Sequence, residues 1–166
     1  MASGRIHDRF NLLALPLLCV FLYLLDTRMI FLGVSVIGYL FSTFIFSPDS
    51  DLRPKKRAGL FGIFLYAYSL YFRHRGRSHS ILFGTITRFI YLLVVVAVCV
   101  FVFTDSENYM HYFQEFRDYM IGFNTRDFKY QAPLYFMFGS FCSDLVHVTT
   151  DVLSDFLKKL KKFPFG

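Results

Sequence analysis

The stretch Ile81–Phe103, ILFGTITRFIYLLVVVAVCVFVF, decides the class of fold. It holds a single charged side chain, Arg88, near its start. A helix needs about 20 mostly apolar residues to cross the ~30 Å hydrocarbon core of a bilayer. This stretch therefore predicts a transmembrane helix.

Three further apolar segments lie before and after it in the sequence, at 10–25, 29–46 and 132–157. The first two are joined by three residues, which predicts a helical hairpin. A signal peptide is the alternative for the first segment, but it has no small-x-small cleavage site and a second apolar run follows at once. The stretch 60–72 is too short to cross and predicts an interfacial or re-entrant helix. Aromatic residues at helical spacing in 104–131 predict a surface helix.

The expected fold is all-α: a helical membrane protein with about four transmembrane helices, an interfacial helix and a surface helix. We expect one helical membrane domain over 1–166, with a basic C-terminal tail at 158–166. The composition agrees, because 55% of residues are hydrophobic and only 18% are charged, against about 25% charged in soluble proteins. It excludes a disordered chain, a collagen-like chain and an ordinary soluble enzyme domain. The three cysteines lie in apolar runs and predict buried hydrophobic residues, not disulfides or a thiolate zinc site.

The basic residues predict the orientation of the segments. Of the 18 Lys and Arg residues, thirteen lie before the first segment, between the second and third, or after the fourth; four lie on the other side. Because cytoplasmic loops are enriched in Lys and Arg, both termini are predicted to be cytoplasmic. Each basic cluster, including RPKKR at 53–57, lies at a predicted membrane edge. RNA binding is therefore the weaker interpretation, and no nucleic-acid partner is expected.

The fourth segment carries ionisable groups in SDLVHVTTD, residues 143–151. Such a group costs about 2.5–3.5 kcal/mol at the centre of a spanning helix. Asp144, His147 and Asp151 are three and four residues apart, so they share one helical face. Pairing with the C-terminal lysines explains Asp155 but not Asp144.

The predicted orientation brings further polar groups to the same membrane face. They are His7 with Asp8 before the first segment, Asp49 with Asp51 after the second, and His74 with His79 before the third. Four segments far apart in sequence thus place His or carboxylate side chains at one face, which favours a metal site over coincidence. The metal ligands that we expect are His7, Asp49, His79, His147 and Asp151.

These donors are imidazole and carboxylate groups, without a thiolate. Such a set suits Zn²⁺, Mn²⁺ or Fe²⁺, and its size allows one or two ions. A polar group that is not a ligand could orient a ligand histidine or act as a general base. We expect Asp51, Asp144 and His74 to fill these catalytic roles. The arginines of HRGRSHS suit either a phosphate group or the membrane surface.

The ordered motifs SGRIHDRFN, SPDSDLR, HRGRSHS and SDLVHVTTD resemble a bacterial family of metal-binding membrane proteins, domain of unknown function 2227, over residues 3–160. A more distant similarity is to the YdjM-like inner-membrane proteins, which are regarded as metal-dependent hydrolases. The shared positions are His7, Asp49, Asp51, His74, His79, His147 and Asp151. The resemblance implies a protein of the bacterial inner membrane. Ser50 replaces an apolar residue of the relatives and leaves both carboxylates of the PDxD motif in place.

Three functions compete. A metal site at the headgroup level favours a metal-dependent hydrolase that acts on a phosphoester or lipid-linked substrate. A non-catalytic metal-binding scaffold or sensor has the same sequence features and is the alternative. An ion transporter usually needs polar groups through the bilayer depth and broken helices, whereas the polar residues gather here at one face.

Overall fold

The computed structural model describes residues 4–48, 62, 66, 68–69, 81–122 and 127–161. These residues form helices and connecting turns, without strands. The helices are α1 (Gly4–Leu24), α2 (Met29–Phe44), α3 (Ile81–Phe103), α4 (Ser106–Ile121) and α5 (Phe128–Lys161). The predicted all-α class is confirmed for this part of the chain. The interfacial helix predicted at 60–72 lies largely outside the described residues, and the single-domain organisation stays a prediction.

A tight turn ends α1 and turns the chain back into α2. The N–H of Asp26 donates to the Tyr23 carbonyl at 3.0 Å, and the N–H of Thr27 donates to the Leu22 carbonyl at 3.1 Å. Asp26 has a φ of 54°, in the left-handed region that closes many helices and that Asp tolerates better than most residues. The two helices therefore form the predicted hairpin.

The closest helix contact joins α2 to α5. A Cβ atom added at Gly38 would lie 2.1 Å from the Phe136 carbonyl oxygen, and one added at Gly139 would lie 1.9 Å from that of Ser35. The hydroxyl of Ser140 donates to the Gly38 carbonyl at 2.9 Å. Small residues that let two backbones approach are typical of helix packing in membranes. This contact fixes α5 against the hairpin.

The interior of the bundle is unusually polar and its exterior is apolar. A small apolar cluster of Leu18, Leu22 and Tyr39 fills one level of the interior. Outside this cluster most of the buried side chains in the described residues are polar, among them Asn11, Ser35, Ser42, Thr43, Thr85, Arg88, Ser140, Ser143, Asp144 and His147. Large apolar side chains of α1 and α3 are exposed instead, among them Leu13, Leu17, Leu24, Leu93, Val94, Phe101 and Phe103.

Two of the described helices are long and apolar enough to cross a membrane, through the windows Ile6–Leu24 in α1 and Gly84–Phe103 in α3. Helix α2 is apolar but has only 16 residues, about 24 Å at 1.5 Å per residue. Helix α5 has 34 residues and is not among the candidate spans. Four membrane spans are therefore not confirmed.

Helix α4 corresponds to the predicted surface helix, but it covers only part of 104–131. It ends at Ile121, and α5 begins at Phe128. The Tyr109 ring contacts the Phe101 ring edge-on at a centroid distance of 5.2 Å. The Tyr119 hydroxyl donates to the Lys129 carbonyl at 2.9 Å. Helix α4 thus connects the end of α3 with the beginning of α5.

Candidate metal centre

Three side chains that are far apart in sequence lie together at the interface of α1 and α5. One donor atom from each of His7, His147 and Asp151 lies within 4.8 Å of the other two. The exposed fractions of these residues are 0%, 1% and 8%. The cluster is therefore a buried group of two imidazoles and one carboxylate.

The geometry of the two helices explains the cluster. His147 and Asp151 are four residues apart on α5, so their side chains point from one face, one helical turn apart. His7 lies within α1, close to its start, and not ahead of it as the sequence suggested. The rings of His7 and His147 stack with centroids 4.0 Å apart and planes inclined by 20°. The His7 Nε2 atom lies 3.2 Å from the Asp151 Oδ1 atom.

These donors fit a divalent metal ion. Imidazole nitrogen and carboxylate oxygen bind Zn²⁺ at about 2.0–2.2 Å, so two donors of one tetrahedral ion are about 3.4 Å apart. The spread of at most 4.8 Å in the cluster is larger than that separation, so the donors would move closer together around a bound ion. The three residues could hold one ion between α1 and α5.

Asp144 lies in a separate network one helical turn before His147. Its carboxylate pairs with the guanidinium of Arg88. It also accepts hydrogen bonds from the hydroxyls of Ser42 at 2.6 Å and Thr85 at 2.5 Å. Both carboxylate oxygens are thus engaged by α2 and α3, and the catalytic role expected for Asp144 stays a prediction.

The guanidinium of Arg88 is held at three points. Its Nε donates to the Gly84 carbonyl at 3.0 Å, and a terminal nitrogen donates to the Phe46 carbonyl. The third contact is the Asp144 carboxylate. A buried charge is tolerated when it is paired and fully hydrogen-bonded. This network joins α3 to the end of α2 and to α5.

A second polar layer lies beside the cluster. Asn11 follows His7 by four residues on α1, and Ser143 precedes His147 by four residues on α5. The Asn11 Nδ2 atom donates to the Ser143 hydroxyl at 3.1 Å and to the Thr43 hydroxyl at 3.3 Å. The Asn11–Ser143 layer is therefore the next turn of the same helix interface.

The predicted site residues divide into two groups. His7, His147 and Asp151 lie in the cluster and Asp144 lies in the neighbouring network. The other predicted ligands and catalytic residues lie outside the described residues: Asp49, Asp51, His74 and His79. The five-residue ligand set and the three catalytic roles therefore stay predictions.

The sequence patterns did not predict the layer of Asn11 and Ser143 beside the cluster, nor the pairing of Arg88 with Asp144. A signal for Asn11 existed, because it is the only polar side chain in 10–18 and lies four residues after His7, on the same helical face. The Arg88 pairing had no local signal, since it depends on the rotation of α3 relative to α5.

Comparison with known proteins adds two findings. Residues 2–161 match the family described as an uncharacterized metal-binding protein, domain of unknown function 2227. An uncharacterized protein of Aquifex aeolicus (strain VF5) is 27% identical over 128 residues, which cover 74% of this chain and 91% of that relative. No solved structure matches the chain.

Proposed function

This chain belongs to the family of uncharacterized metal-binding proteins with domain of unknown function 2227, and we propose that it is a membrane protein that holds a divalent metal ion with His7, His147 and Asp151. The predicted membership of this family is confirmed. The observation that carries the proposal is the buried cluster of donors within 4.8 Å of one another. The more distant similarity to YdjM-like hydrolases stays a prediction.

The exposed surfaces of α1 and α3 support a membrane location. Only 22% of the apolar window in α1 and 6% of that in α3 is buried within the protein, whereas the core helix of a soluble protein is mostly covered. Water would meet a large apolar surface here, and monomeric soluble proteins rarely expose such patches. Lipid chains would cover both helices, while the polar side chains find partners inside the bundle. The bacterial inner membrane with cytoplasmic termini is the location that we expect.

The donor set limits the metal. Two imidazoles and a carboxylate suit Zn²⁺, Mn²⁺ or Fe²⁺ better than a soft ion that prefers sulfur. The described cluster provides for one ion. A second ion would need donors from the predicted residues outside the described ranges, Asp49, Asp51, His74 and His79.

Hydrolysis is the activity that we propose for this site. Three protein ligands, two histidines and one carboxylate, are typical of catalytic zinc sites, which keep a further position open. A bound ion would supply Lewis-acid chemistry to a substrate oxygen. The cluster lies near the start of α1 and in the second half of α5, and the membrane orientation that we propose would bring it to the headgroup level. A phosphoester or lipid-linked substrate therefore fits this position.

A non-catalytic scaffold or sensor is the second candidate, and the burial of the donors favours it. His7 and His147 are at most 1% exposed, which leaves little room for a substrate in the described part of the chain. Structural metal sites are closed in the same manner.

The experiment that separates these functions uses the full chain purified in detergent. Elemental analysis gives the metal content, and a series of phosphomonoesters and phosphodiesters is then tested for hydrolysis with and without a chelator. Hydrolysis that a chelator removes and the metal restores supports the hydrolase. Stoichiometric metal without hydrolysis supports the scaffold, and absence of bound metal contradicts both.

A further inference from the structure

The carboxamide oxygen of Asn11 is a buried acceptor at the interface of the described helices α1, α2 and α5. Asn11 is 1% exposed, and its Oδ1 atom has no hydrogen-bond partner in the part of the chain that the structure describes. Most buried polar atoms in native proteins have a partner, so an exception needs an explanation. The backbone carbonyl of Asn11 is satisfied, because the Tyr39 hydroxyl donates to it at 2.8 Å.

The neighbouring hydroxyls fix the orientation of this carboxamide. The Thr43 hydroxyl donates its single hydrogen to the Tyr39 carbonyl at 2.9 Å. The Thr43 and Ser143 oxygens are 2.9 Å apart, so the Ser143 hydroxyl donates its hydrogen to Thr43. Neither hydroxyl retains a hydrogen for Asn11, and both accept from the Asn11 NH₂ group. A flipped carboxamide would place its oxygen against two acceptors.

The oxygen consequently turns away from Thr43 and Ser143, and helix geometry indicates the direction. Side chains of an α-helix lean towards its N-terminus and over the preceding turn. For Asn11 the preceding turn carries His7, whose ring stacks on His147. Asn11 therefore lies one helical turn from His7, beside the His7, His147 and Asp151 cluster.

We infer that the carboxamide oxygen of Asn11 is a further protein donor to the metal ion of this cluster, an inference that rests on the proposed metal binding. An amide oxygen is a hard, neutral ligand that suits divalent ions with mixed nitrogen and oxygen donors. Asn11 adds an oxygen to the set without adding charge to a buried site. The same residue anchors the site, since its NH₂ group binds hydroxyls of α2 and α5.

The test measures the Kd of Zn²⁺ and of Mn²⁺ for the full chain in detergent, by competition with a chromophoric chelator, together with the melting temperature of the metal-free protein. Three variants are compared with the wild type. Asn11→Leu removes the oxygen and the NH₂ group. Asn11→Asp keeps an oxygen but loses the NH₂ donors. Ser143→Ala removes one hydroxyl of the layer and leaves the Asn11 oxygen in place.

Asn11→Leu is expected to raise the Kd at least about tenfold, the lower range for losing a group that supports a metal site. Asn11→Asp should bind the metal at least as tightly as the wild type, because a carboxylate replaces the amide oxygen. Ser143→Ala should stay within about threefold of the wild type. All three should melt at lower temperature without metal. If Asn11→Leu does not fold, the Kd of Asn11→Asp, compared with that of Ser143→Ala, still distinguishes a metal ligand from a structural residue.

A purely structural role predicts a different pattern. Asn11→Asp would then raise the Kd about as much as Asn11→Leu, at least about tenfold, because both variants lose the NH₂ donors to the hydroxyls of Thr43 and Ser143, and that result overturns the inference. A wild-type Kd for Asn11→Leu overturns it as well, while the metal site of His7, His147 and Asp151 stands. A wild-type protein that binds neither ion contradicts the proposed function itself.

Discussion

The imidazole rings of His7 and His147 stack at a centroid distance of 4.0 Å, so the first and last described helices meet at side chains that we propose as metal ligands. The contact spans almost the whole length of the chain. Asp151 also lies at this contact, with its Oδ1 atom 3.2 Å from the His7 Nε2 atom. An ion bound by these side chains would link α1 to α5 directly, and metal binding would thereby contribute to the stability of the bundle.

Metal removal should lower the melting temperature of the detergent-purified protein. An ion that binds only the folded state stabilises that state by about 2.7 kcal/mol at a free concentration of 100 times its Kd. Thermal melts with a chelator, and with the chelator followed by excess Zn²⁺ or Mn²⁺, measure this effect. An unchanged melt after complete metal removal would show that the link between α1 and α5 does not depend on the ion.

The packing of α2 on α5 should not tolerate a methyl group at Gly38. The added Cβ would lie 2.1 Å from a backbone carbonyl oxygen, which cannot rotate away, so Gly38→Ala should destabilise the protein by about 1–3 kcal/mol. Gly33→Ala is the matched control on the same helix, because a Cβ there meets no atom within 4 Å. It should leave the melting temperature unchanged or slightly raised, since Ala is the better helix former. Equal melting temperatures for the two variants would contradict the close approach of the helices.

The pair of Arg88 and Asp144 should behave as a buried structural unit. Arg88→Leu leaves a buried carboxylate without its charge partner, a loss of about 3–5 kcal/mol in comparable pairs. The double variant Arg88→Leu with Asp144→Leu should recover most of that stability and retain the wild-type metal content. Melting temperature and elemental analysis measure both effects.

An exposed ion pair provides the control for this experiment. The Arg117 Nη2 atom lies 2.8 Å from the Asp118 Oδ1 atom, and both side chains are more than half exposed. Arg117→Leu should leave the melting temperature unchanged, because exposed pairs contribute little. For the buried pair, the contradicting result is loss of metal from the double variant Arg88→Leu with Asp144→Leu. That loss would assign Asp144 to the metal centre, as its predicted catalytic role requires.

The membrane topology can be tested with reporter fusions at Gly166 and after Gly122. Thirteen of the 18 basic residues lie on the predicted cytoplasmic side, so the first fusion should report the cytoplasm and the second the opposite side. Both reporters on one side would contradict the four-span topology, which predicts that the connection between α4 and α5 and the C-terminus are separated by the membrane.

The sequence predicted the helical class and the polar face of α5 because both depend on periodicity along a single helix. The three- and four-residue spacings of Asp144, His147 and Asp151 place them on one face in any helix, and all three are buried. Helix α3 could be predicted for a similar reason, since its apolar run is long and almost uninterrupted.

The remaining features depend on contacts between helices, which no local pattern contains. Arg88 was visible as a charge in an apolar run, but its pairing with Asp144 requires the rotation of α3 about its own axis. Asn11 was visible as a polar residue in an apolar run, but its contacts with Thr43 and Ser143 require the packing of α1 against α2 and α5. The predicted four membrane spans are not confirmed, because α2 has only 16 residues and α5 is not among the candidate spans of the described helices.

The most direct test of the metal centre is the metal stoichiometry of His147→Ala beside His111→Ala, each purified in detergent and analysed for bound Zn²⁺, Mn²⁺ and Fe²⁺. His147 belongs to the buried cluster, whereas the His111 side chain is 64% exposed and lies 3.4 Å from Glu115 on α4. We predict that His147→Ala loses the ion and that His111→Ala retains the wild-type content. Wild-type metal content in His147→Ala, or equal loss in both variants, would contradict a metal site formed by His7, His147 and Asp151.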